Sequence, residues 1–272
     1  MKVLIVHAHP EPQSFGSALR DRAVQTLRHA GHAVQVSDLY AMGFEPVARS
    51  GDFTQRRFAD KLQYDREQKF AAAHDAFAPD IRAEIDKLLW SDLLILQFPL
   101  WWFSVPAIMK GWIDRVLANG VAYGAGRRIE TGGLRGRSAM IATTTGCREE
   151  MMAPDGLLGD LRVILWPLHF GVFTYTGLRV LPPWVGWNIQ YTTPERRAQY
   201  LDDYAAHLGR IQTLEPLAFH PETDFGPDWR LKADRQPLTV AQWRGPRPGT
   251  AGCRRPGRRC GASGGETRSA AG

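Results

Sequence analysis

The 272-residue sequence predicts an open α/β fold in which a five-stranded parallel sheet carries helices on both faces. Two short, nearly unbroken apolar runs, residues 3–8 and 93–98, have the composition of strands covered on both sides by helices. Between such runs the apolar residues recur at helical spacing, as with Leu19, Val24 and Leu27. The two patterns alternate along most of the chain, which implies parallel strands joined by helical crossovers.

The elements follow in order. A strand at 3–8 leads to a helix at 17–30, and a second strand at 33–36 stops at the SDLY of residues 37–40. A helix at 81–90 precedes the third strand at 93–98, and a helix at 106–118 precedes the fourth strand at 138–143. A helix at 157–168, a fifth strand at 173–181 and an amphipathic helix at 194–213 complete the pattern. Between strands two and three lies a long excursion, residues 41–79, with a charged stretch at 56–69. Loops of that length are usually functional or mediate contacts, so a dimer arm and a cofactor clamp are both open readings.

The run QFPLWWFSVPAIMKGWIDRV carries the most local information. Ser104 suits a helix cap and Pro106 an early helical position, while Ile108, Trp112 and Val116 mark a face turned to the sheet. Trp101, Trp102 and Phe103 fall on the strand-to-helix loop between them. They plug the top of the core or line a cleft. Successive side chains cannot all face inward, so at least one is expected to stack on a flat ligand.

Composition narrows the classes. With 44% hydrophobic and 23% charged residues the chain is ordinary globular protein. The formal net charge of +6 invites a nucleic-acid reading, but six arginines beyond residue 246, against Glu266 alone, supply five of those charges. That Gly-, Pro- and Arg-rich stretch, 246–272, is expected to be a disordered tail without the aromatic residues a nucleic-acid arm would use. Cys253 and Cys260 fall in it, which leaves Cys147 alone in the body, so no disulfide framework and a cytoplasmic setting are expected. No apolar run reaches the roughly 20 residues of a membrane span, and neither a signal segment nor a metal-ligand cluster is legible.

Three loops fall at one edge of the predicted sheet. The first, HAHPEPQSF, leads into a helix N-terminus whose amides suit a phosphate, with His9 and Ser14 as added donors; His9 reads nearly as well as a structural strand-end histidine. There is no G-x-G-x-x-G and no Walker lysine, which argues against a dinucleotide fingerprint or P-loop. The second loop is the aromatic one, and the third is TTTGC at 143–147. A phosphate cradle, an aromatic floor and a small polar cradle together suit a flavin nucleotide.

The segments AHPEPQSF, SDLYAMGFEPV, LQYDREQKF, FAPDI, AYGAG, TTTG, GDLRVILWPLHFG and VLPP, with the aromatic run, resemble the NAD(P)H:quinone oxidoreductases of the DT-diaphorase type. The resemblance covers roughly residues 1–230. It implies a flavodoxin-like domain over 1–230 with strand order 2-1-3-4-5, a C-terminal extension over 231–245, and the tail. It further implies FAD in preference to FMN, NADH or NADPH as co-substrate, a quinone acceptor, and a homodimer with the active site at the interface.

By the same resemblance, His9, Ser14, Phe15 and Gly16 hold the phosphate and ribitol end of the flavin. Gln63 reaches it from the partner subunit. Pro99, Leu100, Trp101, Trp102 and Phe103 meet the flavin ring and wall the nicotinamide and quinone pocket. Thr144, Thr145, Gly146 and Cys147 follow the pyrimidine edge, and Arg197 the adenine end. Trp102, Phe103, Thr145 and Gly146 are the residues expected at the reacting centre, and Tyr123, Met152 and Phe103 those that touch substrate.

The sequence also departs from the family. A tyrosine and a histidine assigned there to stabilising reduced flavin are replaced by Met152 and Leu158, neither of which donates a usable proton. The loop's second glycine is Cys147 and a second pocket tyrosine is Ala125. The amides of residues 145–148 are therefore expected to carry the charge alone, with Arg148 read as a surface arginine and Cys147 as a small residue. Competing readings are a nitro or azo reductase, an ancillary flavoprotein of a potassium efflux system, and a one-electron carrier. The near-neutral body disfavours the last.

Overall fold

The computed structural model describes residues 1–238. The predicted sheet is present: β1 (Lys2–His7), β2 (Ala33–Asp38), β3 (Leu93–Pro99), β4 (Ser138–Thr144) and β5 (Arg179–Val180) lie in the order 2-1-3-4-5, and every pairing is parallel. Helices α1 (Phe15–His29) and α7 (Pro194–Gly209) cover one face; α3 (Pro79–Trp90) and α4 (Ala107–Val116) cover the other.

Strand alternation divides the core in two. Val3, Ile5, Ile95 and Met140 pack with Leu19, Ala23 and Leu27 of α1 and with Tyr204 and Leu208 of α7. Leu4, Val6, Leu96, Phe98 and Ile141 pack with Ile81 and Ile85 of α3 and with Met109 and Trp112 of α4. Every residue of β3 is buried, as its uninterrupted apolar sequence requires of a central parallel strand.

Four expectations change. The fifth strand was placed at 173–181, yet Phe173 is buried in a π-helix, His169–Thr174, and only Arg179 and Val180 pair with β4. A sixth strand, β6 (Trp184–Gly186), then continues along β4 at Ala142–Thr144. Pro182 and Pro183 fall between the two strands, and residues without an N–H cannot extend a ladder. The helix expected at 157–168 is shorter, starting at the Asp160 cap and split into α5 (Leu161–Ile164) and α6 (Trp166–Leu168), with Pro167 inside the second piece. Ser104 is not the cap of α4. Pro106 occupies that position, its carbonyl accepting from the amides of Met109 and Lys110 at 2.9 and 3.0 Å.

The excursion is ordered by buried charge. It contains α2 (Tyr64–His74), and Asp52, fully buried, accepts from Arg115 at 2.8 and 3.1 Å, from Tyr64 at 2.6 Å and from the Arg49 amide at 3.1 Å. Arg115 also donates to the Glu45 carbonyl at 2.5 Å and to Asp80 at 3.2 Å. Burial alone would raise the Asp52 pKa, but the hydrogen bonds from Arg115, Tyr64 and the Arg49 amide hold it below the ordinary carboxylate value. Gly111 lets α4 touch this segment: a Cβ there would sit 2.3 Å from Pro46.

After α7 the chain returns across β5, where the Leu217 amide donates to the Val180 carbonyl at 2.8 Å. Arg128 pairs with Glu222 at 2.8 Å, and Phe225 bridges Leu231, so the part of the predicted C-terminal extension up to residue 238 folds back on the domain. The remainder of that extension, the expected disordered tail at 246–272, Cys253 and Cys260 all lie outside the described residues. Among the described residues no helix is long and apolar enough to cross a membrane.

Candidate functional site

The order 2-1-3 makes the chain leave β1 in one direction and β3 in the other. Their following loops therefore diverge and open a crevice at the C-terminal edge, where open α/β sheets bind ligands. The β4 loop lies beside it, and the Leu100 amide donates to the Thr144 carbonyl at 2.8 Å, tying the second loop to the third.

The β1 loop ends in a capped helix start. Ser14 Oγ accepts from the Ser17 amide at 3.0 Å, and the Ala18 amide bonds to the Ser14 carbonyl. The amides of Phe15 and Gly16 precede the first helical carbonyl they could reach, so they are left at the positive dipole end of a 15-residue helix. His9 Nδ1 accepts from the Glu11 amide at 3.0 Å, which leaves Nε2 as the protonated, donating nitrogen; burial lowers the His9 pKa and keeps the ring neutral.

Beneath this loop are two residues that the sequence reading did not single out. Gln97 Nε2 donates to the Gly16 carbonyl at 2.7 Å and locks β3 to the first turn of α1. His7, which pairs with Gln97 in the β1–β3 register, is buried with neither ring nitrogen bonded, and burial lowers its pKa to about 4. Gln97 was detectable as the one amide in an apolar strand. Nothing in the sequence marks His7 off from His9.

The aromatic loop is a closed four-residue turn. Trp101 and Ser104 exchange backbone hydrogen bonds at 3.0 and 2.9 Å, and the two central residues, Trp102 and Phe103, have φ of 50° and 59°. Two successive left-handed residues form the turn type that asparagine and glycine favour; bulky aromatics there cost on the order of 1–3 kcal/mol each. Burial returns little of this at Trp102, which is 95% exposed, and only part of it at Phe103, which is 46% exposed; Trp101 beside them is 42% exposed. At least one of the three is expected to stack on a flat ligand, and all three rings are exposed in this structure. The Trp101 ring sits 6.5 Å from that of His9, so the first two loops meet.

The third loop has spent half its donors. The Thr145 amide bonds to the Gly186 carbonyl at 2.9 Å and the Cys147 amide to Thr145 Oγ1 at 3.1 Å, which leaves the amides of Gly146 and Arg148. The expectation that all amides from 145 to 148 face a ligand thus narrows to two. A fourth loop supports this one: Ile189 and Asn188 donate to the carbonyls of Thr145 and Cys147, and Gln190 lies beside Gly146. Sequence reading missed it because β6 was not legible, although Asn188 at φ 54° is a residue type that tolerates such a turn.

Not every expected residue joins this cluster. Gln63 is the N-cap residue of α2, half-buried, with no side-chain cap bond, and Tyr123 lies after α4 with its ring 6.0 Å from Tyr175. Met152 is buried in a short 3-10 turn and Leu158 is half-buried. Arg197, in the first turn of α7, donates to the Thr192 carbonyl at 3.1 Å while its Nε is buried without a partner. Pro99 is buried at the end of β3 and Thr144 half-buried at the end of β4.

Three comparisons bear on what such a crevice holds. The protein family described as Flavodoxin-like fold matches residues 1–208. The ribosyldihydronicotinamide dehydrogenase [quinone] of Mus musculus is 42% identical over 221 residues, covering 81% of this chain and 96% of that protein. The NAD(P)H dehydrogenase [quinone] 1 of Rattus norvegicus is 39% identical over 225 residues, 82% of each chain. A crystal structure of a Klebsiella pneumoniae protein described as a quinone reductase superposes with a TM-score of 0.84 at 39% identity, covering 88% of this chain and 96% of that one.

Proposed function

Because the chain belongs to the quinone dehydrogenase family of flavodoxin-like proteins, we propose that it is a flavin-dependent NAD(P)H:quinone oxidoreductase that passes two electrons from a reduced nicotinamide to a quinone. The observation that carries this reading is the Trp101–Ser104 turn. It holds two exposed aromatic rings in strained backbone at the switch point of the sheet, a cost that folding alone does not explain.

The donor set fits a flavin nucleotide. The amides of Phe15 and Gly16 and the Nε2–H of His9 suit a phosphate, and the aromatic turn suits a tricyclic ring. The flavin supplies hydride acceptance and release. The protein binds it, orients it and sets the charge around it. The two amides of the third loop left without a partner, those of Gly146 and Arg148, would hold the pyrimidine edge of the flavin and would stabilise negative charge there without a titrating side chain. With Met152 and Leu158 in place of a tyrosine and a histidine, those amides do this alone. Phe103 and Trp102 form the wall against which nicotinamide and then quinone would lie, so one pocket serves both in turn.

We further propose FAD over FMN, with Arg197, in the first turn of α7, at the adenine end. A homodimer is the proposed assembly, in which Gln63 and Tyr123 complete the partner's pocket. Exposed Val47, Leu62 and Trp102 support that reading. Steady-state turnover of NADH, NADPH and reduced nicotinamide riboside with a soluble quinone, with and without added FAD and FMN, tests the assignment. Flavin-dependent quinone reduction is the expected result; absence of turnover with every donor and flavin overturns it.

A further inference from the structure

Away from the three loops, a cavity of about 270 Å³ opens between α5, α6 and the returning C-terminal strand of chain. Leu161, Leu165, Trp166, Leu217 and Phe219 make it apolar, and Trp166 and Phe219 meet edge-on with centroids 5.6 Å apart. It shares no residue with the crevice.

Apart from Arg162, which is 70% exposed on the rim, one ionisable side chain interrupts this lining. His169, 5% exposed, opens the π-helix, a form of helix that recurs at functional sites because it displaces one residue from the regular ladder. Its Nε2 has no hydrogen-bond partner. Burial lowers its pKa to about 4, so the ring is neutral at ordinary pH and offers one N–H and one lone pair. A buried imidazole nitrogen left unbonded is costly, and folding gains nothing evident by placing it here.

We propose that this cavity is a second ligand site, built for a neutral, hydroxylated aromatic of one or two rings whose hydroxyl bonds to the His169 imidazole. A hydroxyl answers either tautomer, since it donates or accepts. A charged ligand is disfavoured because the charged group on the rim, Arg162, is already paired with Asp160 at 2.6 Å, and none of the other lining residues is acidic or basic apart from His169. Size points the same way: a cavity of roughly 150 Å³ takes benzene, so one nearly twice as large has room for two fused rings.

The test is calorimetric titration of the flavin-loaded full chain with 2-naphthol and, separately, naphthalene. Ala218→Trp, at an exposed wall position, fills the cavity, and His169→Leu keeps its volume while removing the polar atom. Loss of a 2-naphthol site in Ala218→Trp is expected, with quinone turnover retained. In His169→Leu, 2-naphthol should weaken about tenfold, the share of one hydrogen bond, while naphthalene stays within about twofold. Identical 2-naphthol stoichiometry and affinity in wild type and Ala218→Trp overturns the proposal. So does equal weakening of both ligands by His169→Leu.

Discussion

Replacing Arg115 by Met tests how the long excursion is held. Arg115 is 1% exposed and supplies four of the hydrogen bonds that gather Asp52, Asp80 and the Glu45 carbonyl around the base of α4. Methionine retains most of the volume, so the loss is chiefly electrostatic. Asp52 would be left fully buried with only Tyr64 and the Arg49 amide as donors. Breaking a buried pair from one side costs about 3–5 kcal/mol, a large part of the roughly 5–15 kcal/mol that stabilises a typical domain. For a chain of this size that corresponds to a fall in Tm on the order of 10 °C.

The sign with pH follows from the same pair. In the wild type the Asp52 pKa is depressed, so its contribution is complete above the unfolded value and is lost only as pH falls through the folded one. In Arg115→Met the desolvated carboxyl is raised instead, and the variant regains part of its deficit as pH falls from 7 toward about 4. Urea unfolding at pH 7 and pH 5 measures both effects, and Arg115→Met/Asp52→Asn should recover at least half of the loss. A single variant within about 1 kcal/mol of wild type, or a double variant no better than the single, would show that the Arg115–Asp52 pair does not hold the excursion.

Three other outcomes are expected. His7 and His169, buried with pKa values of about 4, must take up protons on unfolding, so stability is complete above about pH 6.5 and falls between pH 6.5 and 4; each contributes at most about 3 kcal/mol, read by urea titration across that window. Gly111→Ala places a methyl 2.3 Å from Pro46, and α4 must part from the excursion; a loss of at least about 2 kcal/mol is expected, where an ordinary helical Gly→Ala would gain up to about 1. Trp102→Gly relieves a φ of 50° at an almost wholly exposed residue, so chemical unfolding should show stability within about 1 kcal/mol of wild type. Its kcat/KM for quinone should drop at least tenfold, and an unchanged value would remove Trp102 from the pocket.

Period and composition made the sheet legible wherever strands were long. β1 and β3 announce themselves as apolar runs, and their order puts the three loops together. Legibility failed where pairing is set by a neighbour rather than by pattern: β5 and β6 are two and three residues long, interrupted by Pro182 and Pro183, and hold only because β4 is already in place. Of the candidate site, the aromatic trio, the β1 loop and the Thr-Thr-Gly loop could be read from residue types. The strained turn could not, since no propensity predicts Trp102 and Phe103 in left-handed backbone. Nor could the split of the third loop's amides into used and unused donors, which depends on Gly186 and on Thr145 Oγ1.

In the proposed function, three loops at one sheet edge seat a flavin that exchanges electrons with a reduced nicotinamide and then a quinone. Anaerobic stopped-flow absorbance of the flavin-loaded chain tests it most directly. The expected result is a yellow protein whose absorbance near 450 nm bleaches on mixing with NADH or NADPH and returns on adding a quinone, each in a single turnover. A chain that takes up no flavin, or whose bound flavin stays oxidised in the presence of both nicotinamides, contradicts it.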